Sequence, residues 1–514
     1  MNKNQNMKKS AIILFVLMIM SKILGLLRES IMNHYYKPGL ITNAYTTASS
    51  IPNFMFGIVA AGLIATFIPI YSQIIQKEGK ERANKFMNNA LTSIFIMTII
   101  LLAFGLLFTE QLVKINAAGY KGEQLAMAVD FTRVALFALL TNGVFSIFSG
   151  YQQYENRFYV APMTGFLLNG AIISSIIISN QVSRPIIMVY GLVLGSLLQL
   201  LFSVIISYSQ GDFRYKFTVN MKDQYIKPMM IMALPIIFGS SITQINGLID
   251  RSIASTLGAK SVTIINYANR INDAVFSLFV SSLTTVMYPA IINQANKKDY
   301  AGLKSTITEI MNLTSLIVIP ATIGVTVLAN PIVTLFFKND ADVTYYIVIA
   351  LIGATVGLFG MSIKDILVKT FYSLNDSKTP VFASIVQIIV NIVLNFALAP
   401  WLNVAGLTLA TSISAYVGAI ILYLTLSKRL NGLKTRALIS SVSRISIASL
   451  AMGLVVFGLH SYLNTLQISF IVNLALSVIA GGSVYVIGIW ILKVPEFYDV
   501  IYMIKDKLKI GSKA

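Results

Sequence analysis

Long apolar runs separated by short polar stretches set the pattern of this 514-residue chain. Fourteen runs approach or exceed the roughly 20 residues a helix needs to cross a bilayer. They lie near 11–32, 46–74, 91–108, 131–151, 163–179, 186–208, 228–250, 261–294, 310–328, 347–372, 381–399, 404–427, 445–460 and 468–492. No polar stretch between them is long enough for a separate soluble domain. The pattern predicts an all-α integral membrane protein with about 14 transmembrane helices.

The first run is interrupted in phase by Ser21, Lys22, Gly25, Arg28 and Glu29. At 100° per residue these five share an arc of about 120°. A charge at the bilayer centre costs about 2.5–3.5 kcal/mol on insertion scales, so this stripe is expected to face water or protein. The eighth run carries Asn266, Asn269, Arg270, Asp273 and Ser277 within about 100° of arc. Arg270 and Asp273 are also spaced as an i,i+3 pair, which leaves two readings: an ion pair that fixes helix packing, or the lining of a cavity. Lys22 and Arg28 against Glu29, and Arg270 against Asp273, leave about one extra positive charge over the two stripes together, and Arg pairs bidentately with phosphate oxygens. An anionic ligand follows more naturally than a cationic one.

The chain also repeats itself at a spacing of about 215–222 residues. GLLRESI (25–31) returns as GLIDRSI (247–253), PIYSQIIQK (69–77) as PAIINQANK (289–297), LTS (91–93) as LTS (313–315), and VYGLVLGS (189–196) as VAGLTLAT (404–411). Six spans separate equivalent helices, an even number, so the halves are expected to run parallel, as in rocking-bundle transporters. The expected organisation is an N-lobe of helices 1–6 over 1–220, a C-lobe of helices 7–12 over 221–430, and helices 13–14 with a cytoplasmic tail over 431–514. The charged stripes are expected to point into a cavity between the lobes.

Composition sharpens this picture. Hydrophobic residues make up 56% and charged residues 11%, and the mean hydropathy is +0.75, which excludes an ordinary soluble domain. A net charge of +19 raises nucleic acid as a partner, but its placement argues against one. With the N-terminus inside, only Lys37, Lys114, Lys121, Arg184, Arg251, Lys260 and Lys338 fall in outer loops. Lys22, Arg28, Arg133, Arg270, Lys364 and Lys369 fall in spans, and every other Lys and Arg falls on the inner side. That asymmetry predicts both termini in the cytoplasm. Lys3, Lys8 and Lys9 precede the first run without a cleavage motif after it, so an uncleaved first helix is expected. The chain has no Cys, hence no disulfide or thiolate site. It has no P-loop and no nucleophile elbow, and only His34 and His460, so neither an enzyme nor a histidine metal site is expected.

Two further groups stay open. Thr243, Gly247 and Asp250 share a face at i, i+4, i+7, and Asn391 and Asn395 stand at i, i+4; their oxygens suit sodium, but paired Asn also serve as interhelical hydrogen bonds. Lys364, Asp365 and Lys369 are accounted for by snorkelling and an Asp365–Lys369 pair, or contact substrate.

SKILGLLRES (21–30), IPNFMFGIVAAGLIATFIPIYSQ (51–73), NYANRINDAVFSL (266–278) and FYSLNDSKTPV (371–381) resemble the MurJ-type lipid II flippases of the MOP exporter superfamily, over helices 1–12 in order. The resemblance implies alternating-access flipping of an undecaprenyl-pyrophosphate-linked glycan, lipid II for peptidoglycan first. Export of a capsule, exopolysaccharide or teichoic-acid unit is the alternative, and a cation-coupled drug antiporter a third. It implies a monomer in the bacterial cytoplasmic membrane, membrane lipid and cell-wall or polysaccharide synthesis enzymes as partners, no cofactor, and coupling to sodium or membrane potential. Arg28 and Arg270 stand at the family's pyrophosphate-binding arginines and Lys22 at another cavity arginine. Ser21, Asn269 and Asp273 complete the implied substrate set. Asp250 and Asn391 match the family's sodium site, with Asn395 in place of an Asp and Thr411 as a further ligand. Helix 2 departs from the pattern: Phe56 replaces a cavity arginine, Ala61 an acidic residue and Asn43 an Asp.

Overall fold

The structure, a computed structural model, describes residues 3–209, 213–220, 222–374 and 376–498. The first helices are α1 (Lys3–Tyr36), α2 (Leu40–Leu107), α3 (Thr109–Asn116), α4 (Gly122–Ala135), α5 (Ala138–Tyr154), α6 (Val160–Gln181), α7 (Ile187–Ser209) and α8 (Ile226–Leu257). There follow α9 (Ser261–Phe276), a π-helical turn (Ser277–Ser281), α10 (Ser282–Asn296), α11 (Tyr300–Val327), α12 (Ala329–Phe336), α13 (Ala341–Val356) and α14 (Leu358–Ser373). The chain closes with α15 (Lys378–Leu402), α16 (Val404–Arg429), α17 (Thr435–Thr465) and α18 (Phe470–Ile491).

All fourteen apolar runs fall on helices, so the all-helical membrane class is correct. The count of spans is less simple. Among the described residues nine helical segments are long and apolar enough to cross a membrane, ten with the bent pair α4–α5. The polar stripes are one cause of the shortfall from fourteen: α1 carries Lys22, Arg28 and Glu29, and α9 holds Arg270 and Asp273 in 16 residues.

The second and third runs belong to one 68-residue helix, α2, broken only at Gly79, whose φ of 81° and ψ of 176° are essentially restricted to glycine. Helix continues through the polar stretch between the two runs because Ala83, Phe86, Met87 and Ala90 recur at i, i+3, i+4 and i+7 and are fully buried.

The chain forms two compact units, Met1–Tyr267 and Ala268–Ala514. In the first, α5 packs on α2, α7 on α5, and α7 on both α4 and α6. Phe67, Tyr71 and Ile74 of α2 meet Ile147, Phe148 and Tyr151 of α5 in its core, which Phe213 plugs from the segment after α7. In the second unit α14 packs on α11, α16 on α14, and α16 on both α13 and α15. Its core joins Ile307 and Met311 of α11 to Ile366 and Phe371 of α14 and to Leu422 and Leu426 of α16. These pairings are the same set, shifted by roughly 220 residues. Each unit also breaks one span at the same place: α4 and α5 meet at 41°, and Gly357 separates α13 from α14. A Cβ at Gly357 would lie 2.7 Å from Ser412 Cα, so α16 approaches the break closely enough to require glycine.

Candidate functional site

In the first unit the charged stripe of α1 turns toward α6 at its deeper end. The Arg28 Nη2 donates to Glu29 Oε1 at 2.5 Å, and its Nη1 donates to Asn169 Oδ1 of α6 at 3.2 Å. The side chains of Arg28 and Glu29 are only 15% and 8% exposed. Asn169 is itself oriented by its Nδ2, which donates to Gly165 O at 2.8 Å. Gly165 also lets α1 and α6 touch, since any side chain there would collide with the Ser21 hydroxyl. Lys22, one turn and a half earlier, is exposed. The stripe thus combines a half-buried guanidinium, held by a carboxylate and an amide, with an outlying ammonium.

A guanidinium has five N–H bonds. Among the described residues Arg28 spends two, on Glu29 and Asn169. Three donors remain, which suits an oxyanion able to accept more than one bond.

On α9, Asn269, Arg270 and Asp273 are exposed, whereas Ile264, Ala268, Ile271 and Asn272 are buried. The helix therefore presents one polar face, with Asn266 and Ser277 at intermediate exposure. In the first unit Asp250 Oδ2 accepts from Asn246 Nδ2 at 3.4 Å; the Thr243 side chain lies outside the described residues. In the second, Asn391 and Asn395 are fully buried between α15 and α16. Asn395 Nδ2 donates to Asn391 Oδ1 at 3.0 Å, Asn391 Nδ2 donates to Thr411 Oγ1 at 3.1 Å, and Thr411 donates on to Leu407 O. Three of the four candidate cation ligands are thus joined in one chain of hydrogen bonds.

At the start of α2 the buried Asn43 binds the loop and helix start that lie 220 residues on. Its Oδ1 accepts from the Thr263 N–H at 3.0 Å and hydroxyl at 2.6 Å, and its Nδ2 donates to Ala259 O. Nearby, Gly119 N–H donates to Ser255 Oγ at 2.8 Å.

The sequence model of the lipid II flippase MurJ family matches residues 32–477. The chain belongs to that family. Among curated members, it is 25% identical over 506 residues to a probable lipid II flippase MurJ of Rickettsia prowazekii, covering 97% of each chain. It is 25% identical over 424 residues to the lipid II flippase MurJ of Burkholderia cenocepacia, covering 80% of this chain and 82% of that one. Its fold is that of a lipid II flippase MurJ solved in an inward closed conformation (TM-score 0.80, 22% identity, 95% and 100% covered). A multidrug resistance MATE transporter of the MOP superfamily shares the fold more distantly (TM-score 0.69, 16% identity, 82% and 98% covered). As a MurJ-family member the chain is a multi-pass membrane transporter and not an enzyme.

Two contacts in this MurJ-family chain escaped the sequence: the Asn169 anchor of Arg28 and the Thr263 partner of Asn43. Asn169 orients Arg28 but sits in an ordinary apolar span, and nothing in its neighbours marks it. Asn43 and Thr263 could have been found, because they occupy equivalent places 220 residues apart at the starts of α2 and α9.

Proposed function

We propose that this chain flips lipid II, the polyprenyl-pyrophosphate-linked peptidoglycan precursor, from the inner to the outer leaflet of the bacterial cytoplasmic membrane by alternating access. Family membership supports the activity, and Arg28 carries the substrate chemistry: a half-buried cation with three N–H donors unspent among the described residues. In this reading Ser21, Lys22 and Arg28 of the first unit, and Asn269, Arg270 and Asp273 of the second, contact the pyrophosphate. Both termini are cytoplasmic, as the Lys and Arg asymmetry implies. Asp250, Asn391, Asn395 and Thr411 are proposed to couple transport to sodium. The chain works as a monomer, with cell-wall synthesis enzymes supplying and consuming its substrate.

One observation favours another lipid-linked glycan, a capsule or teichoic-acid unit. Phe56, where relatives carry an arginine, is only 6% exposed and its ring lies 3.6 Å from a Cβ built at Gly143. A guanidinium of the relatives is thus replaced by a ring packed against α5, which leaves one cation fewer to meet the ligand. The test is rescue of a bacterium depleted of its own lipid II flippase. Growth and peptidoglycan synthesis at wild-type rates are expected; lysis with the protein properly inserted overturns the lipid II reading.

A further inference from the structure

The second unit holds a half-buried cation outside the residues proposed to contact pyrophosphate. Lys364 lies in the second turn of α14, between Ile363 and the buried Ile366 and Leu367. Its Nζ donates to Gln387 Oε1 of α15, a neutral partner. The adjacent carboxylate is already committed, since Asp365 Oδ2 accepts from Lys369 Nζ at 2.7 Å. Lys364, Asp365 and Lys369 together therefore carry one net positive charge, and Lys364 makes no ion pair of its own among the described residues.

Snorkelling does not describe this lysine. Lys369, nearer the helix end, is placed to reach the interface, while Lys364 is tied sideways to Gln387 of the next helix. The tie is closed from a third side by the buried Gly418 of α16. A Cβ there would come within 3.0 Å of Gln387 Oε1 and 3.6 Å of Lys364 Cδ. Three helices thus converge on one ammonium, and α16 approaches because residue 418 has no side chain.

The donor set points to the ligand. Gln387 uses its oxygen to accept from Lys364, which leaves its two amide N–H groups as donors, and no hydrogen bond from them is made among the described residues. Lys364 has three N–H bonds and spends one. A cationic ammonium and a neutral amide, both with donors to give, complement a single oxyanion. A cation set among apolar side chains, tied to a neutral amide and next to a carboxylate shared with Lys369, is favoured where a ligand supplies further negative charge.

We propose that Lys364 and Gln387 form a second anion subsite, apart from Arg28, for a phosphate or carboxylate oxygen of the transported lipid. This rests on the flippase reading for the identity of the ligand, but its test is separate. Lipid II, undecaprenyl pyrophosphate and undecaprenyl phosphate are titrated by native mass spectrometry onto the wild type, Lys364→Met, Lys364→Arg and Gln387→Glu. Gln387→Glu neutralises the lysine from inside while keeping its packing. Losing one charge-assisted contact should weaken lipid II binding about 10–100-fold in both Lys364→Met and Gln387→Glu, with Lys364→Arg retaining most of it. Equal losses for all three lipids assign the subsite to phosphate; a loss confined to lipid II assigns it to a carboxylate. Wild-type binding of every lipid by Gln387→Glu overturns the proposal, even if Lys364→Met binds poorly, because that loss is then structural. The wild type is the independent control: if it binds none of the three lipids, the flippase reading itself has failed.

Discussion

Removing the Arg28 charge should separate stability from substrate recognition, because the structure ties this residue to both. Arg28 and Glu29 are a contact pair at 2.5 Å with side chains 15% and 8% exposed. Arg28→Ala strips a buried carboxylate of its main counter-charge, a class of change that costs about 3–5 kcal/mol. The same variant removes the three spare N–H donors. One lost charge-assisted bond to pyrophosphate is about 1.5–3 kcal/mol, or about 10–150-fold in affinity. The double variant Arg28→Met/Glu29→Gln deletes both charges, so most of the stability cost should return while the affinity loss remains. Melting temperature in detergent reads the first effect, and titration of lipid II into nanodisc-held protein reads the second. Asn169→Leu, which frees the guanidinium from one anchor, should weaken binding only a few-fold. If the folded double variant binds lipid II as tightly as the wild type, Arg28 is a packing residue and the reasoning is wrong.

Gly79→Ala should destabilise by about 1–3 kcal/mol, since the φ of 81° with ψ of 176° is strained for any other residue while nothing lies near its Cβ; Gly170→Ala, equally unobstructed within α6, is the melting control that should not fall. At the α14–α15 turn, burial pushes the Asp376 carboxyl up, but hydrogen bonds from Thr379 and the Arg429 guanidinium at 2.8 Å outweigh it and hold the carboxyl below its ordinary value. A lowered folded value means stability present above the unfolded carboxylate pKa of about 3.9 and lost as pH falls below it. Melting temperatures measured from pH 6 to pH 3 should therefore drop more steeply for the wild type than for Asp376→Asn, and parallel curves would remove Asp376 as a cause. If sodium binds at Asp250, Asn391, Asn395 and Thr411, sodium should stabilise the wild type and not Asp250→Ala, whereas a purely hydrogen-bonding role leaves both insensitive to the ion.

The sequence alone determined the class of molecule, its fourteen helical runs, its duplication, and the two polar stripes. Each is a local or periodic property: apolar length sets the helix and the 3.6-residue turn sets the face. It also marked Arg28 and Arg270, because a charge in an apolar run stands out whatever surrounds it. The segment between the second and third runs does not stand out as helix, because its stripe Ala83, Phe86, Met87 and Ala90 is far shorter than a membrane span, yet that stripe makes it helical. What only the tertiary structure decided is the set of partners. Asn169 anchors Arg28 across 141 residues, Asn43 binds Thr263 across 220, and Gln387 holds Lys364 on a neighbouring helix. Asn and Gln in a membrane helix carry no signature of what they bind. Their role is set by which helix packs beside them, and that is decided by close approaches such as Gly165 on Ser21 and Gly418 on Gln387, where the absence of one Cβ allows two helices to meet.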